Sequence, residues 1–135
     1  MLGVNPYIAY KGNCREAMEF YKSALGAEIV FTHTVGESPM TDMGPPDNIM
    51  HATVKVGEST IMMCDDPSPQ PAATGGNISL AIGLNDPARA RQLFDNLAKG
   101  GTVVMPMDKT YWAEAFGIVK DKFGVQWMVN CDAPK

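Results

Sequence analysis

Apolar residues recur at helical spacing in two segments of the chain. The first segment has one apolar stripe at i, i+3, i+4, i+7 and i+8, made of Ala17, Phe20, Tyr21, Ala24 and Leu25. The second segment repeats that stripe with Ala90, Leu93, Phe94, Leu97 and Ala98. Both patterns predict amphipathic helices that cover an apolar surface.

Residues typical of helix ends flank both stripes. Asn13 followed by Glu16 resembles a capping box at the start of the first helix, and Gly26 is suited to end it. Asp86 is the expected N-cap of the second helix, with Pro87 at its first helical position.

Extended runs surround each helix in the same order. In the first half the predicted strands are Tyr7–Tyr10, Glu28–Val35, Ile49–Val56 and Ser59–Cys64. In the second half they are Ile78–Leu84, Thr102–Met105, Ala115–Lys120 and Val125–Cys131. The chain therefore predicts an α+β protein with two βαβββ modules, over residues 5–64 and 77–131. The segment 65–76, rich in proline and glycine, is the predicted linker within a single domain of residues 1–135.

Strand alternation gives the predicted sheet two different faces. The apolar face, expected beneath the helices, has Met50, Ala52, Val54, Val56, Ile61, Met63, Ile78, Leu80, Ile82, Val125, Trp127 and Val129. The mixed face has His51, Thr53, Lys55, Thr60, Met62, Cys64, Asn77, Ser79, Ala81, Gln126, Met128 and Asn130. Such a mixed face fits either the lining of a cleft for an organic ligand or a sheet surface half wetted by solvent.

Composition narrows the classes of partner. The chain has 135 residues and a net charge of −4, and no basic stripe is available to neutralise phosphates, so a nucleic-acid partner is not expected. No apolar run approaches the roughly 20 residues that span a bilayer, and the N-terminal residues lack the features of a signal peptide. Three cysteines at long spacings, Cys14, Cys64 and Cys131, favour reduced thiols in the cytoplasm.

Several motifs together resemble a known family. They are Pro6-Tyr7-Ile8-Ala9-Tyr10, Ala17-Met18-Glu19-Phe20-Tyr21, Leu25-Gly26-Ala27, Ile49-Met50-His51-Ala52, Tyr111-Trp112, Phe116-Gly117 and Asp121-Lys122-Phe123-Gly124-Val125-Gln126-Trp127. The chain resembles the vicinal-oxygen-chelate superfamily of glyoxalase, bleomycin-resistance and dioxygenase proteins, and its PhnB-like branch in particular. Lys122 departs from that branch, which usually has proline there.

The resemblance implies tandem βαβββ modules that form a curled mixed sheet, with helices on the convex face and a cavity on the concave face. Such proteins usually form homodimers. Metal-using relatives place four ligands, typically His, Glu, His and Glu, at strand positions that map here to Pro6, Met62, Asn77 and Met128.

The residues at these four positions are poor ligands for the divalent ions of that superfamily. Proline has no side-chain donor, methionine thioether suits softer ions, and Asn77 alone is a weak ligand. The sequence therefore predicts no metal, and this counts against glyoxalase, isomerase or dioxygenase activity. Some members of the branch are labelled 3-demethylubiquinone methyltransferases, but the glycine-rich loop expected of a nucleotide-type cofactor site is missing, so no cofactor is predicted.

The candidate ligand-binding residues are Tyr10, His51, Met62, Asn77, Ser79, Trp112, Gln126 and Met128. His51 could act as a hydrogen-bond donor or a general base, or simply be a polar strand residue. Tyr10 and Trp112 could stack on a ligand or pack against the core. By strict alternation His33 shares a face with Ile29 and Phe31, which favours a position away from His51. The segment Gly36–Asn48 is the candidate flap over the cavity, or a disordered loop.

Three hypotheses for the function remain. The first is a protein that binds a small organic molecule without a metal. The second is a metal-dependent lyase, isomerase or dioxygenase, and the third is a non-catalytic dimeric interaction module.

Overall fold

The computed structural model describes residues 3–39, 42, 44–67, 77–110 and 112–132. The chain divides into two compact units, Met1–Ala72 and Ala73–Lys135. Their boundary falls inside the predicted linker 65–76, most of which lies outside the described residues. The prediction of one domain across both units stays a prediction.

The first unit is a βαβββ module. It contains β1 (Tyr7–Tyr10), α1 (Cys14–Leu25), β2 (Glu28–Thr34), a 3-10 helix (Val35–Glu37), β3 (Ile49–Val56) and β4 (Ser59–Asp65). The strand order is β1-β4-β3-β2, in which β1 pairs with β4 in parallel and the other pairs are antiparallel.

The second unit repeats this architecture. It contains β5 (Leu80–Leu84), α2 (Pro87–Ala98), β6 (Thr102–Asp108), β7 (Ala115–Lys120) and β8 (Gln126–Cys131). The order β5-β8-β7-β6 matches the first sheet strand for strand, again with one parallel pair. The predicted α+β fold with tandem βαβββ modules is confirmed.

Each helix covers one face of its own sheet. In the first unit the buried side chains include Ala17, Tyr21, Ala52, Val54, Ile61 and Met63. In the second they include Ala90, Leu93, Phe94, Leu97, Trp127 and Val129. These residues come from the predicted helix stripes and the predicted apolar strand face, so burial of apolar area stabilises both modules as the pattern indicates. Among the described residues, no helix has the length and apolar character of a membrane span.

Two strand starts differ from the prediction. Ile49 is fully buried and Met50 only partly, because the β2–β3 register shifts next to Thr34, the partner of Ile49. Ile78 is 78% exposed and precedes β5, so it does not belong to the face beneath α2.

The start of α1 also differs. Asn13 makes no capping hydrogen bond with its side chain, so the predicted capping box with Glu16 is wrong. The buried Asp65 at the end of β4 replaces it, since its Oδ1 accepts the N–H groups of Gly12 and Cys14 at 2.9 Å each. A carboxylate from a distant strand therefore satisfies the helix end.

The other helix ends follow the prediction. Gly26 has φ 70° and ends α1 in the left-handed conformation. Asp86 accepts the N–H of Arg89 at 3.2 Å, and Pro87 occupies the first turn of α2.

Close packing in the second unit depends on a glycine. A Cβ on Gly117 in β7 would lie 2.8 Å from Met107 Sδ and 2.8 Å from a carbon of the Phe94 ring. Any larger residue would displace that ring or that thioether.

The predicted flap, Gly36–Asn48, is tied down where it joins the sheet. Val35 donates its N–H to the Asn48 carbonyl, and Gly36 donates to the Pro46 carbonyl, both at 2.9 Å. Residues 40, 41 and 43, at its centre, lie outside the described residues.

Candidate functional site

The face of the first sheet that points away from α1, called here the open face, brings together residues from all four strands. The register places Tyr7 beside Met62, and Met62 beside Thr53. It also pairs His33 directly with His51 across β2 and β3. The other side chains on this face include Phe31, Lys55, Thr60 and Cys64.

Four rings on the open face form an aromatic cluster, made of Tyr7, Phe31, His33 and His51. The Tyr7 ring centroid lies 5.7 Å from that of His51, and Phe31 lies 6.1 Å from His51 and 6.2 Å from His33. Tyr7 is 53% exposed and Phe31 is 50% exposed. The cluster therefore presents two half-exposed apolar rings on either side of an imidazole.

Hydroxyl groups lie beside both ring nitrogens of His51. The Tyr7 hydroxyl is 3.4 Å from Nδ1, and Thr53 Oγ1 is 3.4 Å from Nε2. These distances are at the long end for hydrogen bonds, so the imidazole keeps capacity to bond another group. His51 thus fits a role in orienting a bound molecule.

A bulge in β2 brings His33 into this cluster. The register shifts between Ile29 and Phe31, which makes Val30 the extra residue. Ile29 pairs with the buried Val54, whereas Phe31 and His33 lie on the open face. The expectation that His33 lies away from His51 is therefore wrong, because strict alternation fails at a bulge.

The thiol at the edge of the cluster is a poor nucleophile. Burial raises the pKa of the Cys64 thiol, against the lowering effect of a hydrogen bond with Tyr7. Burial and the same hydrogen bond raise the pKa of the Tyr7 hydroxyl. Both groups are therefore neutral at physiological pH, as suits hydrogen bonding more than covalent chemistry.

The second sheet places other predicted residues together. Gln126 Nε2 donates to Ser79 Oγ at 2.6 Å, and Met128 lies next to Ala81 in the register. These side chains are partly exposed on the face away from α2.

Trp112 contacts the same sheet. Its Nε1 donates to Asn130 Oδ1 at 3.2 Å, and its ring meets Phe116 edge-on at 5.3 Å between centroids. It is 50% exposed. Both suggested roles, stacking on a ligand and packing on the protein, are compatible with this position.

Three predicted residues lie elsewhere. Tyr10 is only 3% exposed, because it points to the helix side and its hydroxyl lies 3.1 Å from that of Tyr21. Tyr10 therefore leaves the candidate set. In the register Tyr7 lies beside Met62, and Met62 also donates its N–H to the Pro6 carbonyl at 2.9 Å, so the mapping of a superfamily ligand position to Pro6 stays a prediction. Asn77 is exposed and precedes β5, and its role in binding stays a prediction.

The mapped ligand positions carry Pro6, Met62, Asn77 and Met128, none of which has an imidazole, thiolate or carboxylate. Within the part of the chain that the structure describes, no three His, Cys, Asp or Glu side chains group closely enough to hold a metal ion.

Sequence reasoning missed Tyr7, Phe31 and His33 as site residues. Tyr7 could have been found by pairing the first strand with the last strand of its module, as in a parallel βαβ connection. Phe31 and His33 depend on the β2 bulge, for which the sequence offers no clear indication.

Comparisons with known proteins agree with the fold. A family model of the Glyoxalase/Bleomycin resistance protein/Dioxygenase superfamily matches residues 3–129. Protein YjdN of Escherichia coli is 35% identical over 94% of this chain and 93% of its own length.

Solved structures give the same result. Protein PA1353 of Pseudomonas aeruginosa superposes with a TM-score of 0.88 at 38% identity, over 99% of this chain and 100% of that one. A PhnB protein of Bacillus cereus superposes with a TM-score of 0.84 at 24% identity, over 96% and 99% of the two chains. The second likeness concerns the fold alone.

Proposed function

Because the chain belongs to the Glyoxalase/Bleomycin resistance protein/Dioxygenase superfamily, we propose that it binds a small organic molecule without a metal. The ligand contacts the open face of the first sheet at the aromatic cluster. The second sheet, taken by itself, offers a separate set of candidate contacts, Ser79, Trp112, Gln126 and Met128.

The observation that carries this proposal is the aromatic cluster itself. Ligand sites combine apolar walls with a few polar groups that set orientation. Tyr7 and Phe31 supply half-exposed rings, while His51 and Thr53 supply hydrogen-bonding groups beside them. Single exposed apolar residues are ordinary on protein surfaces, whereas a cluster of exposed rings around a hydrogen-bonding group is typical of a binding site.

The absence of suitable donors at the mapped positions supports metal independence. Pro6, Met62, Asn77 and Met128 stand at the mapped positions in place of the histidines and carboxylates that a divalent ion needs in this superfamily. Met62 and Met128 instead offer flexible apolar surface that can adapt to a ligand.

Two further properties belong to the proposal. We propose a homodimer, since the β6 edge strand exposes Val103, Val104 and Met105, which a second copy could cover. We also propose a cytoplasmic location, since Cys14, Cys64 and Cys131 are all free thiols.

A thermal-shift screen of purified protein against a library of aromatic, quinone and charged compounds tests binding. A ligand at about 100 times its Kd adds about 2.7 kcal/mol to the free energy of unfolding. For a chain of this size that raises Tm by roughly 8 °C. The variant F31A should weaken the response, and the matched variant K22A, altered on the outer side of α1, should not.

Elemental analysis of protein purified without chelator separates the alternatives. Stoichiometric nickel, zinc, manganese or iron would replace this proposal with a metal-dependent lyase, isomerase or dioxygenase. A metal-free protein that no compound stabilises would instead indicate an interaction module.

A further inference from the structure

We propose that the ligand of the open face is a flat organic anion, an aromatic carboxylate or phenolate, whose charged group is bound by His33 and His51. This inference rests on the proposed function and adds the chemical class of the ligand. It also assigns binding roles to Tyr7, Phe31 and His33.

The rings of the cluster select a flat molecule. The ring centroids of Tyr7 and Phe31 lie 5.7 Å and 6.1 Å from that of His51. Each of the two rings is about half exposed. Aromatic side chains at such spacing stack on planar groups or meet them edge-on. An aliphatic or bulky ligand would cover these rings less completely.

The polar groups of the cluster include several hydrogen-bond donors. His33 and His51 face each other across β2 and β3, where opposite side chains have Cβ atoms about 5 Å apart. The hydroxyls of Tyr7 and Thr53 flank the His51 ring at 3.4 Å on either side. An anionic oxygen that accepts from several of these donors forms charge-assisted bonds, about twice as strong as neutral ones.

The carboxylates around the cluster are each engaged by another group. Asp66, beyond the end of β4, forms an ion pair with Lys11 at 2.9 Å. Glu37, near His33, accepts from the backbone N–H and the hydroxyl of Thr34 at 3.0 Å and 2.8 Å.

At the other end of the face, Glu28 lies opposite Lys55 in the register. Among the described residues of this face, no carboxylate stands between the two histidines and Tyr7. A cationic ligand would gain attraction from the rings but would meet no opposite charge within the cluster. Charge complementarity therefore favours the anion.

Three probes that share one ring system test the assignment: 2-naphthoate, 2-naphthylmethanol and 2-naphthylmethylammonium, titrated by calorimetry at pH 7.4. We expect 2-naphthoate to bind at least tenfold more tightly than either of the others. The variant H51Q should lower the affinity for 2-naphthoate about tenfold and change that for 2-naphthylmethanol less than twofold. F31L should lower the affinities for all three probes, and K22Q, which removes a remote positive charge, should change none.

The two histidines allow a second, independent measurement. The chain has two histidines, so the imidazole NMR signals of His33 and His51 can be assigned with the single variant H33Q. Saturation with 2-naphthoate should shift both signals through ring-current and hydrogen-bonding effects. Unshifted imidazole signals at saturation would overturn the assignment, whatever the measured affinity.

The possible outcomes distinguish the anion assignment from the proposed binding of a small molecule. Equal or tighter binding of the neutral or cationic probe would overturn the anion assignment and leave small-molecule binding intact. Failure of all three probes while other library compounds stabilise the protein would overturn the flat-anion class alone. Failure of every probe and every library compound would overturn both. Circular dichroism of each variant checks that it is folded.

Discussion

Replacement of Asp65 by alanine should destabilise the first module more than any nearby charge substitution. Its carboxylate is 7% exposed and accepts three backbone N–H groups. Two of them, from Gly12 and Cys14, belong to the start of α1, and the third, from Ile49 at 2.8 Å, belongs to the start of β3. The D65A variant removes all three bonds at once.

The magnitude follows from the surroundings of the three donors. Loss of a helix N-cap costs about 1 kcal/mol. Ile49 is fully buried, and an unsatisfied buried N–H costs about 1–3 kcal/mol more. Gly12 is exposed, so water can replace its bond. The expected loss is about 3 kcal/mol for D65A, and about half of that for D65N, which keeps one acceptor oxygen.

Urea unfolding followed by circular dichroism measures this loss. With a slope of about 1.5 kcal/mol per molar urea, the D65A midpoint should fall by about 2 M. Hydrogen exchange should place the loss of protection in α1 and at the start of β3. D66A is the matched control, since the ion pair that it breaks with Lys11 is partly exposed and worth under about 1 kcal/mol. A D65A midpoint equal to that of D66A would refute the reasoning.

Three further predictions concern packing, pH and the buried tyrosines. Gly117→Ala should lower the free energy of unfolding in urea by about 1–3 kcal/mol, because the new Cβ would clash with the Phe94 ring and the Met107 thioether. The control Gly83→Ala has open space around its Cβ and should lower it by less than about 1 kcal/mol. Burial raises the pKa of the Cys14 thiol to about 12, above its unfolded value near 9, so its contribution to stability is complete below pH 9 and is lost as the pH rises. The free energy of unfolding should therefore fall by up to about 1.4 kcal/mol per pH unit above pH 9. Cys14→Ala should flatten this slope. Equal slopes for the variant and the unmodified protein would contradict the raised pKa of Cys14. Tyr10→Phe should lower the free energy of unfolding by roughly 1 kcal/mol, because it removes the contact with the Tyr21 hydroxyl, and should leave ligand affinity unchanged. A variant with normal stability but weakened binding would show that Tyr10 faces the ligand.

Local patterns in the sequence were sufficient for most of the fold. The stripe of α2, its Asp86 cap and the Gly26 stop of α1 depend on residues within a few positions of each other, and all three predictions are confirmed. The cap of α1 was predicted wrongly because Asp65, which provides it, lies more than fifty residues away along the chain. Asn13 is a suitable N-cap by local pattern, but the capping acceptor comes from a distant strand.

The candidate site was less predictable for the same physical reason. His51 and Met62 follow simple alternation, and the structure places both on the open face. Tyr7 reaches that face only through its parallel pairing with β4, and His33 only through the extra residue Val30. Pairing partners and bulges are set by tertiary contacts, which a single sequence does not display.

The Asp65 carboxylate also sets an order of events during synthesis. β1 is synthesised before β4, yet the two strands pair. The N–H of Cys14 at the start of α1 likewise needs the Asp65 carboxylate at the end of β4. β1 and the start of α1 can therefore reach their final pairing only after the chain through Asp65 has been made. A nascent chain stopped before β4 should leave these segments open to chaperones and proteases, so the last strand of the module acts as its closing step.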